Sequence, residues 1–240
     1  MSGVDSLPVL NQLIEHLPTK YRHSLLQRCE LVDLQCGSIL CERGEPFRQL
    51  YFPLTGVISQ VALTADHPPL EMGLIGNEGM LGGLLTQGFN RVPLRAVVQG
   101  SGTALRISAR QLREELLGSP ALLRTLNRYL YVLMTQLAQT AACNRFHEVP
   151  ARLARWLLMS HDRAHAEHFY LTHQFLADML GVQRSAVTIA AGALQQQGLI
   201  HYSRGKITVL SREGLERLAC ECYAALNNDY AELFAAPMLH

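Results

Sequence analysis

Leu123, Leu126, Leu130, Leu133, Leu137, Thr140 and Asn144 recur at alternating spacings of three and four residues. That is the a/d pattern of an α-helix whose apolar stripe needs cover along its whole length. Pro120 suits the first turn of such a helix. At 1.5 Å per residue, residues 120–144 would extend about 37 Å. A helix this long divides the chain, and the segments before and after it follow different rules. A second apolar set, including Leu122 and Tyr129, is placed to cover the preceding segment. The seam itself is therefore assigned to a symmetry mate, giving a parallel homodimer through residues 120–144, the alternative being an ordinary core helix packed within one chain.

Residues 33–109 read as short strands: VDLQCGSILCERGE, YFPLTGVISQVAL, LEMGLIGNEG, RAVVQGSG and ALRISA, bounded by Gly, Asn or Pro. Eleven of the eighteen glycines lie between Gly37 and Gly102, which is the punctuation of a small all-β roll. VLNQLIEHLP reads as a short amphipathic helix in front of it, ended by Pro18.

After residue 146 the pattern is helical with one β interruption. EVPARLARWLLMSHDRA is an amphipathic helix with Trp156 on its apolar side, and HFYLT is a short extended link. THQFLADML and RSAVTIAAGALQQQ are two short helices around Gly181-Val182-Gln183. Two helices that cross steeply need a small residue at the contact, which Ala177 supplies, and a turn residue that tolerates left-handed geometry, which Gly181 supplies. Leu176, Leu180, Val182, Val187 and Ala190 fill the wedge between them. LIHYSRGKITVL alternates around Ser-Arg-Gly-Lys, the signature of a hairpin, so the unit reads as a winged helix-turn-helix. SREGLERLACECYAAL reads as one closing helix with Ser211 as N-cap. Gly214 stands where a capping box needs Glu or Gln. From about Asn227 a weakly packed tail is expected. The fold class is thus α+β: a β-roll over 1–119, a dimerisation helix over 120–146 and a winged helix-turn-helix over 147–240.

The net charge is +1, which excludes a wholesale basic coat for nucleic acid. The distribution is more informative. From Met179 through Arg212 there is no acid, while Arg184, Arg204, Lys206 and Arg212 lie there, a place for a polyanion. No window offers the eighteen or so uninterrupted apolar residues of a membrane helix. No basic, apolar leader opens the chain, so cytoplasm is expected. Cys29, Cys36 and Cys41 fit no common zinc or iron–sulfur spacing. Cys220 and Cys222, read as helical, point to different faces and would not share a metal. With Cys143, all are read as buried reduced thiols. His161, His165 and His168 sit in HDRAHAEH, and the first two are i, i+4. At the polar end of a helix they are read as solvated, so no metal is assigned. His147-Glu148 assembles nothing around it, and no nucleophile–base pair, P-loop or dinucleotide fingerprint appears. The chain is not read as an enzyme.

A glycine-rich β-roll, a long dimer helix and a C-terminal winged helix-turn-helix together resemble the Crp–Fnr (cyclic-AMP receptor protein/fumarate-nitrate regulator) family of bacterial transcription factors. The resemblance is strongest over LTHQFLADMLGVQRSAVTIAAGALQQQGLIHYSRGKITVL and covers nearly the whole chain. It implies a β-roll like the cyclic-nucleotide-binding jelly roll. It further implies a homodimer on an inverted-repeat, double-stranded DNA operator, with RNA polymerase as a partner. By this likeness Thr172, His173, Gln174 and Gln183 hold phosphate, and Arg184 reads a guanine edge through its two-pronged fork. Ser185 stands in place of the family's Glu, and Ile189 in place of a second Arg. Ser185 and Thr188 remain able to touch bases. Arg204 and Lys206 on the wing contact the DNA backbone.

The resemblance also shows what the sensor half lacks. The cyclic-AMP cassette needs a Glu where Gly83 stands, and an Arg-Ser or Arg-Thr pair that GNEGMLGGLLTQGFNRVPLRA does not contain. A buried phosphate without its paired Arg would be uncompensated. Gly82, Gly83, Arg91 and Arg95 mark where an effector pocket would lie. Cyclic AMP, haem and an iron–sulfur cluster are not expected, and an unknown small-molecule effector is left open. A β-roll signalling module that docks protein partners through its C-terminal half is the alternative.

Overall fold

The computed structural model describes residues 11–164 and 168–235. Two short helices, α1 (Gln12–Glu15) and α2 (Thr19–Arg28), lead into seven strands. These are β1 (Glu30–Leu34), β2 (Ile39–Cys41), β3 (Gln49–Pro53), β4 (Val57–Thr64), β5 (His67–Ile75), β6 (Arg95–Gly100) and β7 (Gly102–Ser108). They form two antiparallel sheets, ordered β1-β7-β3 and β2-β6-β4-β5. Leu34, Tyr51 and Ala104 of the first sheet share one core with Ile58, Ile75, Ala96 and Val98 of the second. The alternate residues Leu50, Phe52, Leu105 and Ile107 join a second, larger core with the helices. Period-two alternation thus buries β3 and β7 on both faces.

Helix α3 (Ala109–Gly118) follows β7 directly. The sequence reading leaves this stretch unassigned, although Ser108 and Gln111 form a reciprocal capping box at its start. Helix α4 (Pro120–Phe146) is the expected long helix, with the Ser119 hydroxyl accepting from the Leu122 amide at 3.2 Å. Two of its buried polar groups fix it to the β-roll. Tyr129 donates to the Met80 carbonyl at 3.1 Å, and the Gln136 carbonyl accepts from the Leu74 amide at 2.9 Å.

The predicted seam is divided by this packing. Leu126, Leu133 and Thr140 are buried within their own chain, while Leu123, Leu130, Leu137 and Asn144 are half-buried. The heptad spacing identifies a stripe that must be covered, but the β-roll already covers one side of it. The face turned outward carries Asn127, Tyr131, Met134, Ala138 and Ala141, with Met134 61% exposed.

The C-terminal part contains α5 (Val149–Ala164), β8 (His168–Tyr170), α6 (His173–Leu180), α7 (Arg184–Gln196), β9 (Ile200–Ser203), β10 (Lys206–Val209), α8 (Arg212–Leu218) and α9 (Cys222–Ala235). Two expectations are corrected here. The closing segment is two helices, because Ala219 is extended at φ −59°, ψ 146°. Cys220 therefore lies between helices and Cys222 opens the second, so the helical argument against a shared ligand set does not apply. The described residues after Asn227, up to Ala235, are likewise no weakly packed tail. Tyr230 and Leu233 are buried, α9 packs along α4, and Arg128 donates to the Leu233 carbonyl at 2.7 Å. The break lets α9 reverse and cover part of the surface of α4 that the β-roll leaves open, on the flank of its outward face.

Buried polar contacts join the C-terminal helices to the β-roll. Trp156 Nε1 on α5 donates to Glu71 Oε1 at 2.9 Å, and Ser59 Oγ donates to Glu71 Oε2 at 2.7 Å. Arg163 pairs with Glu78 at 2.7 Å, both buried. Burial pushes the Glu71 carboxyl up from 4.5 to about 7, against the opposing pull of Ser59, Trp156 and Arg155. A raised acid favours the folded state most when protonated. Its contribution is full below about pH 4.5 and is lost as pH rises through about 7. By linkage the loss is of order 3 kcal/mol. The melting temperature of the native chain should therefore fall relative to that of Glu71→Gln as pH is raised across this window. Parallel pH profiles of the two melting temperatures would refute the assignment.

Candidate nucleic-acid interface

Helices α6 and α7 are set by local chemistry. The Thr172 hydroxyl accepts from the Phe175 amide at 3.1 Å and caps α6. The helix stops at Gly181, left-handed at φ +63°, and the Val182 amide donates back to the Ala177 carbonyl at 3.0 Å. Leu176, Ala177, Leu180, Val187 and Ala190 are buried, as the crossing requires. Arg152 of α5 reaches under the turn and donates to the Leu180 carbonyl. Gly181 also meets the β-roll: a Cβ there would lie 2.7 Å from Leu70 Cδ1. A cavity of about 780 Å³ opens beside this contact, between His67 and Leu70 of β5 and Gln174, Asp178, Gln183 and Arg184.

The outer face of α7 is uncovered. Arg184, Ser185 and Thr188 are exposed, with Ile189 at 73%. Gln183 is exposed at the N-cap, and Thr172 and Gln174 are exposed at the start of α6. Gln174 donates to Asp178 Oδ1 at 2.8 Å, so the one carboxylate of α6 is engaged. Among the described residues, Arg184, Arg204 and Lys206 form no ion pair. Arg212, by contrast, pairs with Asp162 and Glu216 at 2.7 and 2.9 Å. Three of the four cations read from the acid-free stretch remain for a ligand, and the fourth holds α8 to α5.

His173 is half-buried and turned into the unit. Its ring stacks on Tyr202 of β9, with centroids 4.3 Å apart and planes at 19°. Its Nδ1 lies 3.0 Å from Thr188 Oγ1, whose hydroxyl donates to the Arg184 carbonyl at 3.0 Å. The threonine proton is thus committed, so Nδ1 carries the histidine proton and donates. Burial, and then the neighbouring Arg184, hold the ring below its usual range, favouring neutrality. Nε2 is then an acceptor, and it is buried without a partner among the described residues. The sequence assigns His173 to phosphate. The structure makes it a brace between α6, α7 and the wing, and an acceptor-only Nε2 cannot donate to an anion. Tyr202, the other half of the brace, is not singled out by any sequence signal.

The wing is the predicted hairpin. β9 and β10 pair from Ser203↔Lys206 to Ile200↔Val209, and β8 adds a third strand on the far side of β10. Its two-residue turn places Arg204 at φ 49° and Gly205 at φ 80°, the mirror-image geometry that suits strand twist. Lys206 Nζ lies 5.9 Å above the exposed Tyr170 ring.

The positions marked for an effector do not converge. Gly82 and Gly83 line a cavity of only about 20 Å³, enclosed mainly by Phe47, Leu81, Leu84, Val92 and Leu133. That is room for about one water, where ligand sites generally need several hundred Å³. Arg91 donates to the Gly44 carbonyl at 2.7 Å, and Arg95 to Glu42 at 2.9 Å. Neither arginine lines the cavity. Of the histidine group, His161 lies 3.2 Å from Arg212. His165 and the side chain of His168 lie outside the described residues. A second Cys/His cluster does form: Cys143, His147, Cys220 and Cys222 bring their ligand atoms within 4.8 Å of one another.

Residues 151–218 match the family model of the Crp-like helix-turn-helix domain. No curated protein sequence matches the chain. The fold is shared with solved regulators. FixK2 from Bradyrhizobium japonicum aligns at 17% identity and a TM-score of 0.67, over 80% of this chain and 98% of that one. The c-di-GMP-responsive global regulator CLP of Xanthomonas campestris aligns at 18% identity and 0.65, over 81% and 100%. A CRP/FNR-family transcriptional regulator of Thermus thermophilus aligns at 24% identity and 0.64, over 79% and 98%.

A non-glycine residue in the left-handed region at the wing tip costs about 1–2 kcal/mol. Part of this returns as chain entropy when glycine replaces it. Arg204→Gly should therefore raise the melting temperature by about 2–4 °C, whereas Arg204→Ala should not. Equal melting temperatures for the two variants would show that the turn holds no strain.

Proposed function

From a Crp-like helix-turn-helix domain carried on the fold of Crp/Fnr regulators, we propose a homodimeric, sequence-specific DNA-binding transcription regulator. The observation that carries this is the uncovered face of α7, which bears no carboxylate and is flanked by two wing cations that form no ion pair among the described residues. Arg184 reads a guanine, and Ser185 and Thr188 contact neighbouring bases. Thr172, Gln174, Gln183, Arg204 and Lys206 meet the DNA backbone. His173 acts by positioning Thr188 and α7.

The proposed dimer contact follows the outward side of α4. Leu123, Leu130, Leu137 and Asn144 keep their places, and Asn127, Met134 and Ala141 complete the stripe in place of the buried Leu126, Leu133 and Thr140. Two recognition helices related by a two-fold axis fit half-sites about one helical turn apart, an inverted repeat. Such a regulator works in the cytoplasm beside RNA polymerase. The filled β-roll supports a sensor that takes no cyclic nucleotide, and a contact between β5 and the α6–α7 turn through which another signal could reach the reading helix.

Selection of bound sites from random DNA should yield an inverted repeat whose binding weakens steeply with salt. Arg184→Ala should cost about 1–3 kcal/mol per half-site and relax preference at one base pair. Lys206→Ala should instead weaken all sequences alike and flatten the salt slope by about one unit per subunit. No DNA binding at low salt would sink the proposal. Met134→Glu with Leu137→Glu should leave a folded monomer by sedimentation, with operator affinity reduced by at least about 100-fold. A folded double variant that remains dimeric would place the interface elsewhere.

A further inference from the structure

The geometry points to a tetrahedral zinc site, or one for a similar thiophilic divalent ion, formed by Cys143, His147, Cys220 and Cys222 where the C-terminus of α4 meets the α8–α9 junction. Cys143 and His147 are four apart at the end of α4, so one helical turn presents both to the same side. The extended Ala219 brings Cys220 down to them, and Cys222 follows as the first residue of α9. Cys143 Sγ and Cys220 Sγ are 3.5 Å apart, and so are Cys222 Sγ and His147 Nδ1. With metal–sulfur bonds of about 2.3 Å and a metal–nitrogen bond of about 2.0 Å, the edges of a tetrahedral site are roughly 3.5–3.8 Å. The observed separations, none above 4.8 Å, match one ion with small adjustments. In an iron–sulfur cluster the four protein ligands are divided among two or four irons, so ligands on different irons stand farther apart than this. A disulfide would need Cys143 and Cys220 to close to about 2.05 Å.

Features around the ligands fit the same assignment. His147 Nε2 lies 3.0 Å from Glu221 Oε1, a bond that keeps the proton on Nε2 and leaves the Nδ1 lone pair for a metal. Gln139 Nε2 donates to Cys222 Sγ at 2.9 Å, as it would to a bound thiolate. The three sulfurs are buried in a cluster of their own, apart from the main core. Arg152 and Arg155, both about 95% buried, act electrostatically on this cluster, and each has an Nε without a hydrogen-bond partner among the described residues. Neutral thiols leave Arg152 without an opposing charge from this cluster, while Arg155 also acts on Glu71. Three thiolates, a neutral imidazole and a divalent ion carry a net −1, which opposes them. Binding would release three thiol protons to solvent, one for each metal–sulfur bond formed, so affinity should fall at low pH.

The site stands independently of DNA binding, and its test reads metal. Reduced, chelator-stripped full-length protein titrated with Co(II) should develop thiolate charge-transfer absorption and the intense visible bands of a tetrahedral site. These should saturate at one ion per chain and be bleached by Zn(II). Glu221→Gln, on an exposed side chain, should weaken Zn(II) about tenfold. Cys143→Ser and Cys220→Ser should weaken it more, whereas Cys29→Ser should not change it. An octahedral spectrum, no binding by the wild-type chain, or unchanged affinity in folded Cys143→Ser and Cys220→Ser proteins would overturn the assignment. Metal-free native protein with a Cys143–Cys220 disulfide would overturn it as well.

Discussion

Tyr129 and Gln136 hold α4 against the β-roll, and the placement of the later elements follows from that contact. Gln136 meets two needs with one side chain. Its carbonyl accepts from the β5 backbone at Leu74, and its amide donates to Tyr230 of α9 at 3.2 Å. Tyr129 is fully buried beneath Gly79, where a Cβ would stand 2.5 Å from its hydroxyl. A polar group buried this deeply is costly when unpaired, so its partners fix one rotation of the helix. That rotation decides which side of α4 faces outward and which side receives α9.

The C-terminal helices are then held at two places. In front, Trp156 and Arg163 of α5 reach carboxyl groups of the β-roll, and Leu70 packs on the turn glycine of the reading unit. Behind, α9 and the Cys/His cluster join the end of α4 to the junction after α8. The front contact contains a carboxyl titrating near neutrality, and the rear contact contains thiols.

How much of this is legible in the sequence depends on the range over which each feature is specified. The helix-turn-helix and wing are read correctly because each device is local: Thr172 at a cap, Gly181 at a left-handed turn, Arg204-Gly205 at a two-residue hairpin. The capping box of α3 is just as local, in Ser108 and Gln111, and is equally readable. The a/d spacing of α4 reports a helix with a stripe to bury, but spacing carries no information on the partner. Leu126 and Leu133 meet their own β-roll, and only the tertiary structure shows it. The break between α8 and α9 has no glycine or proline to mark it. Asn227, Asn228 and Asp229 look like a helix end, yet burial of Tyr230 and Leu233 overrides their weak propensity. Cys143 and Cys220 are 77 residues apart, so their meeting is visible only in the fold.

The reading unit is preorganised by a neutral brace rather than by charge. If His173 were protonated, both ring nitrogens would donate, and a second positive charge would sit close to Arg184. Its stacking on Tyr202 and its bond to Thr188 join the first helix, the recognition helix and the wing through one aromatic pair and one hydroxyl. Thr188 in turn is tied to the carbonyl of Arg184. Arg184 is therefore held at its backbone by a chain of neutral contacts, and its guanidinium forms no ion pair among the described residues. A site arranged this way keeps its cations available, with little of their charge neutralised inside the protein. That separation of bracing from charge leaves Arg184 and Arg204 exposed to solvent, and Lys206 partly so, in a chain whose overall charge is nearly zero.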